Sequence, residues 1–166
     1  MRSSTLACVV ACAAVAPAAA QTPKYAVTVT VDKDTNFAAL KSYSWEHGWQ
    51  AYDKTVHAAI MAAIDRELAA LGLVKKPEGA GDLLVTYASL RRIDVDLKAK
   101  TSEANGRLPE YNVGTLVVLL LEKGTRKELF RGRVDKPIEL EVARVKPIID
   151  EAVAAMFAKY PARAGK

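Results

Sequence analysis

Apolar and polar residues alternate strictly from Val27 to Val31, with Val27, Val29 and Val31 on one side and Thr28 and Thr30 on the other. A period of two belongs to a strand with one buried face, and residues 25–31 read as such a strand. Asp32 to Asn36 follows as a turn. Phe37 and Leu40 then lead into a second short strand, Ser42-Tyr43-Ser44-Trp45, which Gly48 ends. There the period changes. Val56, Ile60, Ile64, Leu68 and Leu71 recur at three- and four-residue spacing, which is one apolar stripe of a helix. Asp53 stands at the N-cap position and Gly72 where a left-handed residue closes a helix. Leu73 is placed to pack back on the last turn.

Lys75 to Gly81, with one proline and two glycines, reads as a loop. Leu83 to Leu90 forms the next strand. In the strand after it, Ile93, Val95 and Leu97 alternate with Arg92, Asp94, Asp96 and Lys98, and one wet face suits an antiparallel sheet. Lys100 to Glu110 has no apolar period and carries Asn105-Gly106 and Pro109, the composition of a loop. Leu116 to Leu121 is uninterrupted apolar, so both faces of that strand are apolar, as in the centre of a sheet. Glu122 to Lys127 turns around Gly124, and Leu129 to Val134 pairs back as a hairpin. Val145, Ile149, Val153, Met156 and Tyr160 mark a second helix, with Pro147 near its first turn and Pro161 closing it. The order is strand, strand, helix, four strands, helix. It predicts an α+β fold, a mostly antiparallel sheet of about five to six strands with two helices packed on one face.

Read together, these segments resemble a bacterial family known as domain of unknown function 4136. Phe37 to Trp45 is similar to its aromatic strand entry. Ile60 to Gly72 is similar to its first helix, which Gly81-Asp82-Leu83-Leu84-Val85-Thr86-Tyr87 follows. Gly114 to Val118 and Leu129-Phe130-Arg131-Gly132 resemble its terminal hairpin, and Val153 to Pro161 its closing helix. The resemblance implies a fold and an address in the cell envelope, since members are mostly exported lipoproteins. It implies no reaction and no catalytic residues. Two departures stand out: members often carry an acidic residue where Leu119 stands and a tryptophan where Phe130 stands.

The first twenty residues strengthen the envelope reading. Arg2 is followed by an uncharged, Ala/Val-rich run from Ser3 to Val15, then by Ala18-Ala19-Ala20, the small-residue site of signal peptidase. Residues 1–20 are therefore expected to be a signal peptide cut after Ala20, leaving residues 21–166 as one periplasmic domain. Val9-Val10-Ala11-Cys12 has lipobox chemistry, but the apolar run before Cys12 is about half the usual length, so free export is preferred over a lipid anchor. Both cysteines, Cys8 and Cys12, fall in the signal, and the mature chain has neither disulfide nor thiolate chemistry. A net charge of +5, spread along the chain, is ordinary solubility charge, and nucleic acid is not an expected partner of an exported protein. Beyond the signal, no apolar run is long enough to span a membrane.

Candidate chemistry is sparse. His47 lies in the turn after Trp45, and His57 sits off the apolar stripe of the first helix, where a solvated residue is expected. Two histidines without zinc-motif spacing do not make a metal site. Asp94 and Asp96 share one face of a strand, but that face alternates as a wet edge. Gly79-Ala80-Gly81 lacks the Lys-Ser/Thr pair of a phosphate loop. No cofactor, metal or catalytic residue is expected.

One feature points to binding. If Leu116, Val118 and Leu120 face the helices, then Val117, Leu119 and Leu121 face away, beside Arg131 and Arg133 of the hairpin partner. An apolar centre with a basic rim is the anatomy of a contact surface. The reading is a non-enzymatic envelope protein that binds through this face. The partner is an envelope protein, a second copy of the chain, or a lipid or cell-wall component. The alternatives are a carrier holding a small amphipathic ligand between sheet and helices, and an enzyme using Asp94, Asp96 or His47.

Overall fold

The computed structural model describes residues 27–101, 106–137 and 142–161, with side chains for all of these except 137, 142 and 143. The expected signal peptide, Cys12 and the expected cut after Ala20 lie outside the described residues. Alternating segments form β1 (Val27–Val31), β2 (Ser42–Trp45), β3 (Val74–Lys75), β4 (Leu83–Val95), β5 (Glu110–Glu122) and β6 (Glu128–Pro137). The helical stripes form α1 (Lys54–Ala70) and α2 (Val142–Phe157). One sheet holds all six strands, in the order β1-β6-β5-β4-β2-β3.

The sheet is mixed, which corrects the expectation of a mostly antiparallel one. β1, β6, β5 and β4 are joined antiparallel, whereas β2 runs parallel to both β4 and β3. The cause is α1. A strand followed by a helix and another strand brings the chain back in its original direction, so the strands on either side of β2 must be parallel to it. Two further segments differ. Val74–Lys75, assigned by composition partly to a loop, pairs with Ser42 and Tyr43. The two expected strands across 83–98 are one continuous strand, because β5 pairs with it residue for residue from Leu83 to Val95.

Register places Val85, Tyr87, Val118, Leu120, Phe130, Gly132 and Val134 on one face, with Val27, Val29 and Val31 beside them. The helices meet this face. A Cβ at Gly132 would lie 2.7 Å from Met156 Sδ of α2, so α2 rests on bare backbone there. On the α1 side, Asp65 accepts hydrogen bonds from Tyr43 Oη (2.7 Å) and Trp45 Nε1 (2.8 Å), and Lys75 pairs with its other oxygen. Ile64, Leu68, Leu83, Val85, Phe130, Val153, Met156 and Phe157 are fully buried in one cluster. Phe130 is stacked on Phe157 with centroids 5.4 Å apart.

The α1 ends follow the expected chemistry. Asp53 Oδ1 accepts the Thr55 and Val56 amides. Gly72 has φ +84°, and Leu73 N donates to Leu68 O while Gly72 N donates to Ala69 O, the paired bonds of a glycine-closed helix. Pro147 lies inside α2, a turn beyond its expected place.

Candidate functional site

The helices are too short for the sheet. Thirteen-residue strands reach about 43 Å at 3.3 Å per residue, whereas the seventeen residues of α1 span about 26 Å. Beyond Ser89 on β4, and before Leu116 on β5, the helix side of the sheet loses its cover. Ile93 is 64% exposed and Val95 44% exposed there, although both continue the alternation of Val85 and Tyr87. Leu97 (82%), Trp49 (72%) and the fully exposed Tyr52 lie in the adjoining turn and loop.

Where cover gives out, the helices and sheet enclose a hollow of about 620 Å³. Val56 and Ile60 of α1 form one wall; Val145, Ile148, Ile149 and Ala152 of α2 form another. Leu116 and Val134 line its sheet side, and Gln50, Asp53, Arg91 and Lys136 bring the polar groups. This volume lies within the range of small-molecule sites, about 300 to 1,000 Å³, which are mostly apolar with a few polar groups.

The loop between β2 and α1 closes one side, held along β4 by Glu46 N to Val85 O (2.8 Å) and Ser89 N to Trp49 O (2.8 Å). Tyr87 pins that loop. Its hydroxyl accepts the Ala51 amide (3.1 Å) and lies 2.5 Å from His57 Nδ1, with the two rings stacked. Burial raises the Tyr87 phenol above its ordinary value, opposed by the Ala51 bond. His57 is therefore half-buried against Tyr87 rather than solvated, a correction to the face argument. It lines a second hollow of about 420 Å³ with Trp45, His47, Met61 and Glu78. His47 itself is exposed.

On the opposite face, Val117, Leu119 and Leu121 lie side by side and half-buried. Leu119 sits between Thr86 and Arg131, and Val117 between Ala88 and Arg133. The expected basic rim is neutralised within the sheet. Arg131 pairs with Glu128, and Arg133 pairs with Asp135 at 2.8 Å. Asp135 also takes Arg92 (2.8 Å) and the Thr115 hydroxyl. The Arg133 guanidinium, then Thr115 and Arg92, hold the Asp135 carboxyl well below the usual range against the effect of its partial burial. Asp94 serves Arg92 (3.0 Å), and Asp96 caps a turn through the Lys98 amide. These two carboxylates are thus occupied separately. Among the described residues, no cluster of three or more His, Cys, Asp or Glu is placed to hold a metal, and no helix is long and apolar enough to cross a membrane.

The family described as domain of unknown function (DUF4136) matches residues 27–162. The chain belongs to that family. No match is found among curated proteins. Among solved structures, the DUF4136 fold is similar to part of a PDZ domain protein from Parabacteroides distasonis, with a TM-score of 0.59 and 15% identity over 81% of this chain. The chain spans 35% of the length of that protein. A PelC dodecamer from Paraburkholderia phytofirmans matches with a TM-score of 0.51 and 8% identity, over 81% of this chain and 96% of that one. At such identities the likeness is one of fold.

Proposed function

We propose that this DUF4136 domain is a non-enzymatic binding protein of the cell envelope, and that the hollow between its helices and sheet holds a small amphipathic ligand. One observation carries the reading: Trp49, Tyr52, Ile93, Val95 and Leu97, all exposed large apolar side chains, gather around this end of the sheet, beside a hollow walled by aliphatic residues. Monomeric proteins seldom leave such surface without a use. Catalysis is not part of the proposal. Tyr87 and His57 bond to each other and to the loop, which suits a structural pin, and Asp94 and Asp96 are engaged apart. Export to the periplasm is part of the proposal and rests on the composition of residues 1–20.

Native mass spectrometry of the protein isolated from its own periplasm tests the reading. The expected result is a bound mass in the lipid range that disappears in Ile148→Asp, which places a charge in the wall of the hollow. Repeatedly empty spectra of the parental protein would overturn it.

The opposite face supports a second reading, contact with another copy of the chain through Val117, Leu119 and Leu121. Its support is their half-exposed apolar row, together with the dodecameric assembly of the PelC structure. Sedimentation of the parental protein and Leu119→Asp decides it, since a face used for assembly loses its larger species in the variant.

A further inference from the structure

The hollow has a polarity along the sheet. Arg91 of β4 pairs in register with Gly114 of β5, and Gly114 pairs with Lys136 of β6. All three line the hollow. Strands lie about 4.8 Å apart, so the two basic residues stand about 10 Å apart with a residue lacking a side chain between them. One row further in, Leu116 and Val134 pair beside Ser89, and the lining becomes aliphatic towards Ile60, Ile149 and Ala152.

Arg91 is the uncommitted charge at this mouth. Among the described residues Arg91 has no hydrogen bond or ion pair, in contrast to Arg92, Arg131 and Arg133 of the same sheet. Among the described residues, the acid that lines the hollow, Asp53, is occupied by the Thr55 and Val56 amides as the cap of α1. An arginine next to an aliphatic hollow offers a planar set of donors to a carboxylate or phosphate, and such charge-assisted bonds are the stronger class.

We infer that the hollow selects an anionic single-chain amphiphile, with its tail between α1, α2 and the sheet and its head over Gly114, held by Arg91. This rests on the proposed use of the hollow and adds the class of head group.

The test separates the two claims with three probes sharing a twelve-carbon tail: dodecanoate and dodecyltrimethylammonium, each titrated into the full chain below its micellar concentration, and dodecanol, titrated below its solubility limit. Dodecanoate is expected to bind about tenfold or more tighter than dodecanol, the scale of one charge-assisted hydrogen bond. Dodecyltrimethylammonium is expected to bind weakest. Arg91→Glu, at an exposed position where folding is not at stake, should remove the advantage of dodecanoate, strengthen dodecyltrimethylammonium, and leave dodecanol unchanged. Equal binding of all three probes overturns the head-group inference while the hollow stands. So does a dodecanoate preference that survives Arg91→Glu. No binding of any probe overturns the use of the hollow as well.

Discussion

The two ends of the helix-covered face carry the same alternation and have opposite fates. At one end Val85, Leu120, Phe130, Val153, Met156 and Phe157 are sealed from water. At the other, Ile93 and Val95 continue the β4 pattern into solvent. Periodicity in a strand states which side chains share a face; whether that face is covered depends on how far the opposing helices reach. A buried apolar residue stabilises the fold, and an exposed one beside a hollow is surface available for binding.

The sharpest way to break this comparison is to truncate one residue at each end. Phe130→Ala removes a fully buried ring stacked on Phe157 and close to Tyr160 (centroids 5.8 Å), and should cost about 3 to 5 kcal/mol in urea unfolding. Ile93→Ala should stay within about 0.5 kcal/mol, as exposed substitutions do. Comparable losses would mean that the far end of the sheet is packed after all, and the hollow would lose its claim to be a site.

Asp65 joins the closed end to α1 and ranks next. Asp65→Ala strands the Tyr43 hydroxyl and the Trp45 indole N–H, both bonded to the same oxygen, and releases Lys75. Leaving partly buried donors unpaired costs about 1 to 3 kcal/mol. Burial and the bond to Asp65 hold the Tyr43 phenol above its ordinary value, so the parental tyrosine should resist ionisation in an ultraviolet titration, and the variant should titrate earlier.

How much of this was legible beforehand divides along physical lines. Asp53, Gly72 and the stripe from Val56 to Leu71 mark α1 because caps and helical period are local properties. The two-faced run from Leu116 to Leu121 identifies a central strand for the same reason, and β5 lies between β4 and β6. Parallel pairing around β2 was available in principle, since a helix stands between β2 and the strands beside it. Alternation in the later strands outweighed that signal. The hollow was beyond reach, because Ile60, Ile148 and Leu116 converge only once helix length and strand register are fixed together. The Arg133–Asp135–Arg92 cluster is hidden in the same way, since Arg92 lies 43 positions from Asp135.

That cluster gives a smaller, pH-dependent effect on the uncovered face. The folded Asp135 carboxyl is held below its ordinary value of 3.8, chiefly by Arg133. A carboxylate so depressed adds stability that is complete above the unfolded value and is lost as pH falls through the folded one. Asp135→Asn should therefore destabilise the protein at pH 7, by about 1 kcal/mol or less because its partners are half-exposed. The gap to the parental protein should close as unfolding is measured at pH 4, 3 and 2. A gap independent of pH would assign the loss to packing rather than charge.

The smallest expected effect is the one that keeps the two faces apart. Leu119 lies between Thr86 and Arg131, on the side of β5 opposite Leu116 and Val118. A ligand in the hollow meets Leu116 and Val134, so the sheet backbone stands between it and Leu119. Leu119→Asp should leave dodecanol binding within about twofold, less than half a kcal/mol, whatever it does to assembly. If binding falls tenfold or more in a variant that remains folded by circular dichroism, the ligand occupies the row Val117, Leu119 and Leu121. The division of labour between the faces would then be the reverse of the one drawn from the hollow.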